Sequence, residues 1–324
     1  MMQMWAIIVD SFREAKAKKL FWVLLAISTL VALALSCIGF DENGFSFFYG
    51  AIKVQNGIYQ TGTQAAEQFF GAIVSNFLVG TYIGWVGIII CLIGTVGMFP
   101  SLIETGAVDV VVSKPLTRSV LFFSRYIGSL AFVLAQATYF VVLTLLVLRW
   151  QMGRWLWGYL WAIPLLVLSF SYIYCVCVLA AVWTRRTLVS LVCGLFFWVI
   201  LFGVASTEQF VGTNESDGSG NVVIKYSMRG SIGKVVYVLH QILPKPSDIP
   251  VILGRETNAL GSREFVEAIA PNDPDVLSPG RVHQLDVEQL RAEAVSPSRS
   301  IGSSLAFEAV VLVFACVIFS RRDF

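Results

Sequence analysis

Charge is scarce in this chain. Only 14% of its 324 residues are Asp, Glu, Lys or Arg, while 56% are hydrophobic. Soluble globular chains carry roughly a quarter charged residues. With a mean hydropathy of +0.75, the apolar surplus places this chain in a lipid bilayer. The formal net charge of +2 is too small to attract nucleic acid. Histidine is nearly absent: His240 and His283 are the only two, and neither has a cysteine nearby in sequence. That leaves no basis for a dedicated metal site. The six cysteines, Cys37, Cys91, Cys175, Cys177, Cys193 and Cys316, fall in apolar runs, which argues against a disulfide framework. Also missing are the phosphate loop G-x-x-x-x-G-K-[ST], the zinc motif H-E-x-x-H and the nucleophile elbow G-x-S-x-G. No catalytic residue and no cofactor is assigned.

What the chain has is long apolar runs. A helix needs about 20 apolar residues to cross the hydrocarbon core. Six segments meet that length: Leu20–Phe40, Leu78–Phe99, Val120–Leu148, Gly158–Val182, Leu188–Ala205 and Ile301–Phe319. The expected fold is an all-α integral membrane protein of six transmembrane helices. Residues 1–19 form an interfacial amphipathic helix: Trp5, Ile8, Val9 and Phe12 share one face, and cations lie largely elsewhere. Spans one to five occupy 20–205, a large insert occupies 206–300, and span six with its tail occupies 301–324.

Orientation follows from Lys and Arg in the short flanks. One side holds Arg13, Lys16, Lys18, Lys19, Lys114, Arg118, Arg125, Arg185, Arg186, Arg321 and Arg322; the other holds Lys53, Arg149 and Arg154. This bias puts both termini and the loop between spans two and three in the cytoplasm. The insert is then extracytoplasmic. Trp150, Trp155, Trp157 and Trp161 cluster at the opposite end of spans three and four, as an aromatic belt at the headgroups does.

The connection between spans two and three is more elaborate than a turn requires. It reads Glu104-Thr-Gly-Ala-Val-Asp-Val-Val-Val-Ser-Lys-Pro-Leu-Thr-Arg118. Ser101 is placed to cap a new short helix with Glu104 in its first turn. Gly106 allows close backbone approach. Val110, Val111 and Val112 give an apolar ridge, Pro115 ends the element, and Thr117 caps span three. Charged residues that orient a partner, together with a ridge that fills a groove, describe a docking surface.

Glu104, Gly106, Asp109, the three valines, Ser113, Pro115, Thr117 and Arg118, followed by Arg125 and Gly128, resemble the coupling segment of type 2 ABC transporter permeases (ABC-2 type). The charged flanks FREAKAKKL and VIFSRRDF are similar to that family's termini. Asp109 stands where the family more often has Glu. The resemblance implies a dimeric exporter permease, paired with a second copy or a paralogue in the cytoplasmic membrane. It also implies that ATP is bound and hydrolysed by separate ABC ATPase subunits, which dock on the cytoplasmic coupling helix within 100–118. The ATPase-coupling residues are then Glu104, Gly106, Asp109, Ser113, Pro115, Thr117, Arg118 and Arg125. The alternatives are an ATP-independent transporter and a membrane scaffold or anchor. Against the former, no inverted repeat is evident and the spans hold almost no ionisable residues.

Polar residues inside the spans are few enough to name. Glu308 is the only acid well inside a predicted span. It sits either near the outer interface or at a cavity-facing, proton-linked site. Gln136, Thr138 and Tyr139 in span three, and Ser169, Ser171, Tyr172 and Tyr174 in span four, serve either helix-to-helix hydrogen bonds or a translocation lining. Pro164 is expected to kink span four. Gly80 and Gly84 form a close-contact pair, for packing within the subunit or at a dimer seam. In the insert, Thr213–Asn221 reads as a turn region, and Ile232–Leu243, Ser262–Ala270 and Leu285–Ala294 as short helices. They form either a lid over the exit or a solvated connector.

Overall fold

The computed structural model describes residues 19–41, 44–47, 52–55, 85–103, 117–152, 155, 157–216, 222–226, 239, 242–256 and 296–321. Its helices are α1 (Lys19–Ser36), α2 (Gly87–Thr95), α3 (Met98–Ile103), α4 (Arg118–Met152), α5 (Ala162–Thr184), α6 (Thr187–Val211), α7 (Asp248–Glu256) and α8 (Pro297–Arg321). A 3-10 turn, Trp157–Trp161, leads into α5. Four helical stretches are long and apolar enough to cross a membrane: Arg118–Gln151, Trp157–Thr184, Thr187–Val204 and Pro297–Arg321. Phe21–Ser36 and Gly87–Pro100 are shorter apolar helices. The amphipathic N-terminus, residues 104–116, the Gly80/Gly84 pair and the predicted helices 262–270 and 285–294 lie outside the described residues.

Helix α5 is the hub. It is apolar on every face, and a helix of that kind is stable only when enclosed. It packs against α2, α3, α4, α6, α7 and α8. Of its most apolar window 72% is buried, against 17% for α6 and 22% for α8. Those two helices turn Leu188, Val192 and Phe196, and Val310, Val313 and Phe314, outward.

Several boundaries differ from the sequence expectation. The first apolar helix stops at Ser36, not Phe40. Ile38–Asp41 is a strand (β1) pairing antiparallel with Gly44–Phe47 (β2), which pairs with Ile52–Gln55 (β3). Asp41 stands opposite Gly44 in the register of β1 and β2. Gly212–Ser216 (β4) pairs antiparallel with Val222–Tyr226 (β5), so Thr213–Ser216, read as part of a turn over Thr213–Asn221, is a strand, and 217–221 lie outside the described residues. Small sheets thus accompany a helical bundle.

Two prolines also change meaning. The break after span two falls at Val96-Gly97, and Pro100 is the third residue of α3. Ser101 therefore lies inside that helix rather than capping a new one. Pro164 is likewise the third residue of α5. In a first turn the missing N–H has no intrahelical partner to lose, so neither proline frees a carbonyl.

Helices α5 and α6 are joined by Arg185-Arg186 alone. Arg185 has φ 55°, left-handed, and its N–H donates to the Ala181 carbonyl at 2.9 Å. A left-handed non-glycine residue costs roughly 1–2 kcal/mol, so packing of the two helices holds it there. Arg185→Pro cannot reach this φ and deletes the N–H donor. We expect it to destabilise the hairpin by about 3 kcal/mol or more, read as a lower midpoint in detergent thermal melts. An unchanged midpoint contradicts the assigned turn.

Candidate functional site

Two regions carry the polar chemistry. The first is the bundle end bearing Arg118, Arg185 and Arg321, where the predicted docking segment leaves and returns. Glu104, Gly106, Asp109, Ser113 and Pro115 lie outside the described residues; the helices flanking them do not. Thr117 is exposed and directly precedes α4, and its carbonyl accepts the Leu121 N–H at 3.2 Å, the position expected of a helix cap. Arg118 donates from Nη1 to the Ser320 carbonyl at 3.3 Å. This ties the start of α4 to the end of α8, where a cation also suits the C-terminal dipole.

Arg125 is only 7% exposed. Its Nε donates to the Met98 carbonyl at 3.3 Å, beside the α2–α3 break. This bond ties α4 to the first residue of α3 from within the bundle. Phe99 meets Phe122 and Tyr174 edge to face, and Phe319 tilts onto Phe122. The two exits of the segment are thus held by α3, α4, α5 and α8 together.

The second region is deeper. Glu308 is 7% exposed and lies near the middle of α8, two residues before Val310, the centre of the apolar run 301–319. Two residues amount to about 3 Å along a helix, so Glu308 stands near the middle of Pro297–Arg321. A carboxylate at the bilayer centre costs roughly 2.5–3.5 kcal/mol on insertion scales. Here the carboxyl is met by two hydroxyls from two other helices. Tyr126 of α4 donates to Oε1 at 2.7 Å, and Ser171 of α5 lies 2.9 Å from Oε2. Tyr126 stacks on Tyr174, ring centroids 5.6 Å apart, and Tyr174 donates to Ser129 at 2.8 Å. Ser129 in turn lies 3.3 Å from the Met98 sulfur. A continuous set of contacts therefore runs from the α2–α3 break to Glu308.

On α8 the residues one and two turns before Glu308 are Ser304 and Ser300, both buried. Ser304 Oγ accepts the Lys245 N–H at 3.0 Å, and Ser300 Oγ donates to Asp248 Oδ2 at 2.7 Å. Ile249, Ile252 and Leu253 of α7 are buried at helical spacing. Residues 244–256 are therefore docked on the bundle.

Gln136 is buried and donates from Nε2 to Ser28 of α1 at 3.1 Å. Tyr139 and Thr29 pair at 2.8 Å on the same helix boundary. The mid-span polar groups Gln136, Tyr139, Ser171 and Tyr174 all join helices. Gln136 and Glu308 are not brought together: one serves α1–α4, the other α4–α5–α8. The exposed Trp150, Trp155, Trp157 and Trp161 gather where α4 gives way to the 3-10 turn, with Arg149 5.4 Å from the Trp155 ring centroid.

Sequence reasoning missed Tyr126 and the Ser300/Ser304 column. The column had a signal: Ser300, Ser304 and Glu308 recur at i, i+4 and i+8 and so share one face. Tyr126 had none, since its partner is 182 residues away. No protein-family model matches this chain, and no curated protein matches it.

Proposed function

We propose that the chain is the permease subunit of an ATP-driven exporter, coupled through residues 100–118 to ATPase subunits on separate polypeptides. The observation that carries this reading is the motif from Glu104 to Arg118, set between two helices whose ends are knitted into the bundle. A partner pressing on that segment pushes at once on α3 through Ile103 and on α4 and α8 through Arg118. Arg125 carries the push inward from Met98. That is what a coupling element has to do: turn a cytoplasmic motion into a rearrangement of packed helices.

On this reading Phe21–Ser36 and the helix ending at Pro100 are two further spans, making six. Both termini are cytoplasmic, the insert with α7 faces outside, and two copies or a copy and a paralogue enclose the path in the cytoplasmic membrane. The outward apolar faces of α6 and α8 meet lipid or the second subunit. A photo-cross-linking residue at Val111 is expected to capture a soluble polypeptide bearing a phosphate loop in native membranes. Capture of membrane proteins alone, with no nucleotide-binding polypeptide, would overturn the reading.

A further inference from the structure

We propose that Glu308 is a proton-binding site, held in its protonated form in this conformation and reached from the insert side of the bundle. This goes beyond the coupling role and does not depend on an ATPase.

Hydrogen accounting supports the protonated acid. The Tyr126 hydroxyl has one hydrogen, and its shortest acceptor is Glu308 Oε1 at 2.7 Å. Ser171 also has one hydrogen, with the Leu168 carbonyl 2.9 Å away and Glu308 Oε2 at the same distance. If Oε2 carries a proton, it donates to Ser171 Oγ, and Ser171 donates on to Leu168. Each hydrogen then has one acceptor, and no net charge is buried. If the acid is ionised, a full charge rests on two neutral hydroxyls inside an apolar bundle. Such an arrangement is disfavoured unless a cation completes it.

Among the described residues the surroundings supply no cation. The described elements packed on this part of α8 are α4, α5 and, through Phe197 stacked on Phe307, α6. Their titratable groups facing Glu308 are Tyr126, Tyr172 and Cys175, all neutral when protonated. Arg125, next to Tyr126 in sequence, directs its Nε to the Met98 carbonyl instead. Among the described residues no lysine, arginine or histidine bonds to Glu308.

The buried face of α8 is polar on one side of Glu308 and apolar on the other. Toward the insert stand Ser304, Ser300 and then Asp248. Toward Arg321 stand Leu312, Ala315 and Phe319, all buried. Successive residues four apart rise about 6 Å along the helix, so the serines mark out a ladder from Asp248 to the acid. The proton enters along that ladder, and separation of α4, α5 and α8 releases it by exposing the carboxyl to water. A carboxylate, a bound proton and two hydroxyl partners are all the chemistry this needs.

Infrared spectroscopy of the full chain in lipid nanodiscs at neutral pH tests this. A protonated carboxyl shows an acid C=O stretch, absent from ionised carboxylates. We expect the wild-type minus Glu308→Gln difference spectrum to contain that band. Glu308→Gln can keep both hydrogen bonds, because its amide accepts from Tyr126 and donates to Ser171. Tyr126→Phe keeps the acid and is expected to move the band by removing one bond, and Ser304→Val to slow its deuterium shift. Absence of the band in the wild type, or a band unmoved in Tyr126→Phe, would overturn the proposal.

Discussion

Glu104→Lys is expected to strip the partner ATPase from the purified protein while leaving the membrane helices inserted and folded. Glu104 is the first residue after α3, which ends at Ile103. A reversed charge there meets whatever cation the partner offers as a like charge, and such juxtapositions cost several kcal/mol. Every 1.4 kcal/mol is about tenfold in affinity, so recovery of the ATPase should fall tenfold or more. Arg118→Glu should do the same by a different route, since it also loses the Nη1 bond to the Ser320 carbonyl that links α4 to α8. Quantitative immunoblotting of both subunits after tag purification reads the effect. Undiminished recovery in both variants removes the docking role of the segment.

The second large effect concerns packing. A Cβ on Gly194 of α6 would collide with the Cys177 sulfur of α5 and would also meet Leu92 at 3.4 Å. The hydroxyl of Ser190 bonds the Cys177 carbonyl at 2.6 Å in the same contact, so the two helices cannot drift apart without breaking it. Overpacking typically costs about 1–3 kcal/mol and occasionally more. Gly194→Val should reach the top of that range, because the side chains of Cys177 and Leu92 both have to shift and the two added methyls crowd them further. The compensating change is specific. The Cys177 Cβ is 3.7 Å from the position of the added carbon, an ordinary contact. Gly194→Ala with Cys177→Ala should therefore melt near the wild type, while Gly194→Ala alone should not. Equal losses in the single and the double variant would show that the sulfur is not the obstacle.

Long apolar runs are a local property, which is why the helices at 118–151, 157–184, 187–204 and 297–321 were legible in the sequence. Their ends were less so. The first run reads as apolar through Phe40, yet Ile38–Asp41 leaves the helix and pairs as a strand with Gly44–Phe47. Pro164 was misread because a proline's effect depends on where its helix begins, and that is settled by packing. Helix α7 was overlooked although Asp248, Pro250 and the spacing of Ile249, Ile252 and Leu253 are starting signals.

The site divides in the same way. Arg125 was legible as a charge but not as a buried one, because its burial and its bond to the Met98 carbonyl come from tertiary packing. Glu308 stood out by its isolation among apolar residues. Its position between Tyr126 and Ser171 depends on contacts across more than a hundred residues, which no periodicity encodes.

The most direct measurement is affinity purification of the tagged chain in mild detergent, with mass spectrometry of everything that accompanies it. The account predicts a soluble subunit bearing a phosphate loop, recovered in stoichiometric amount with the chain. A clean preparation of the chain with no nucleotide-binding partner would contradict it.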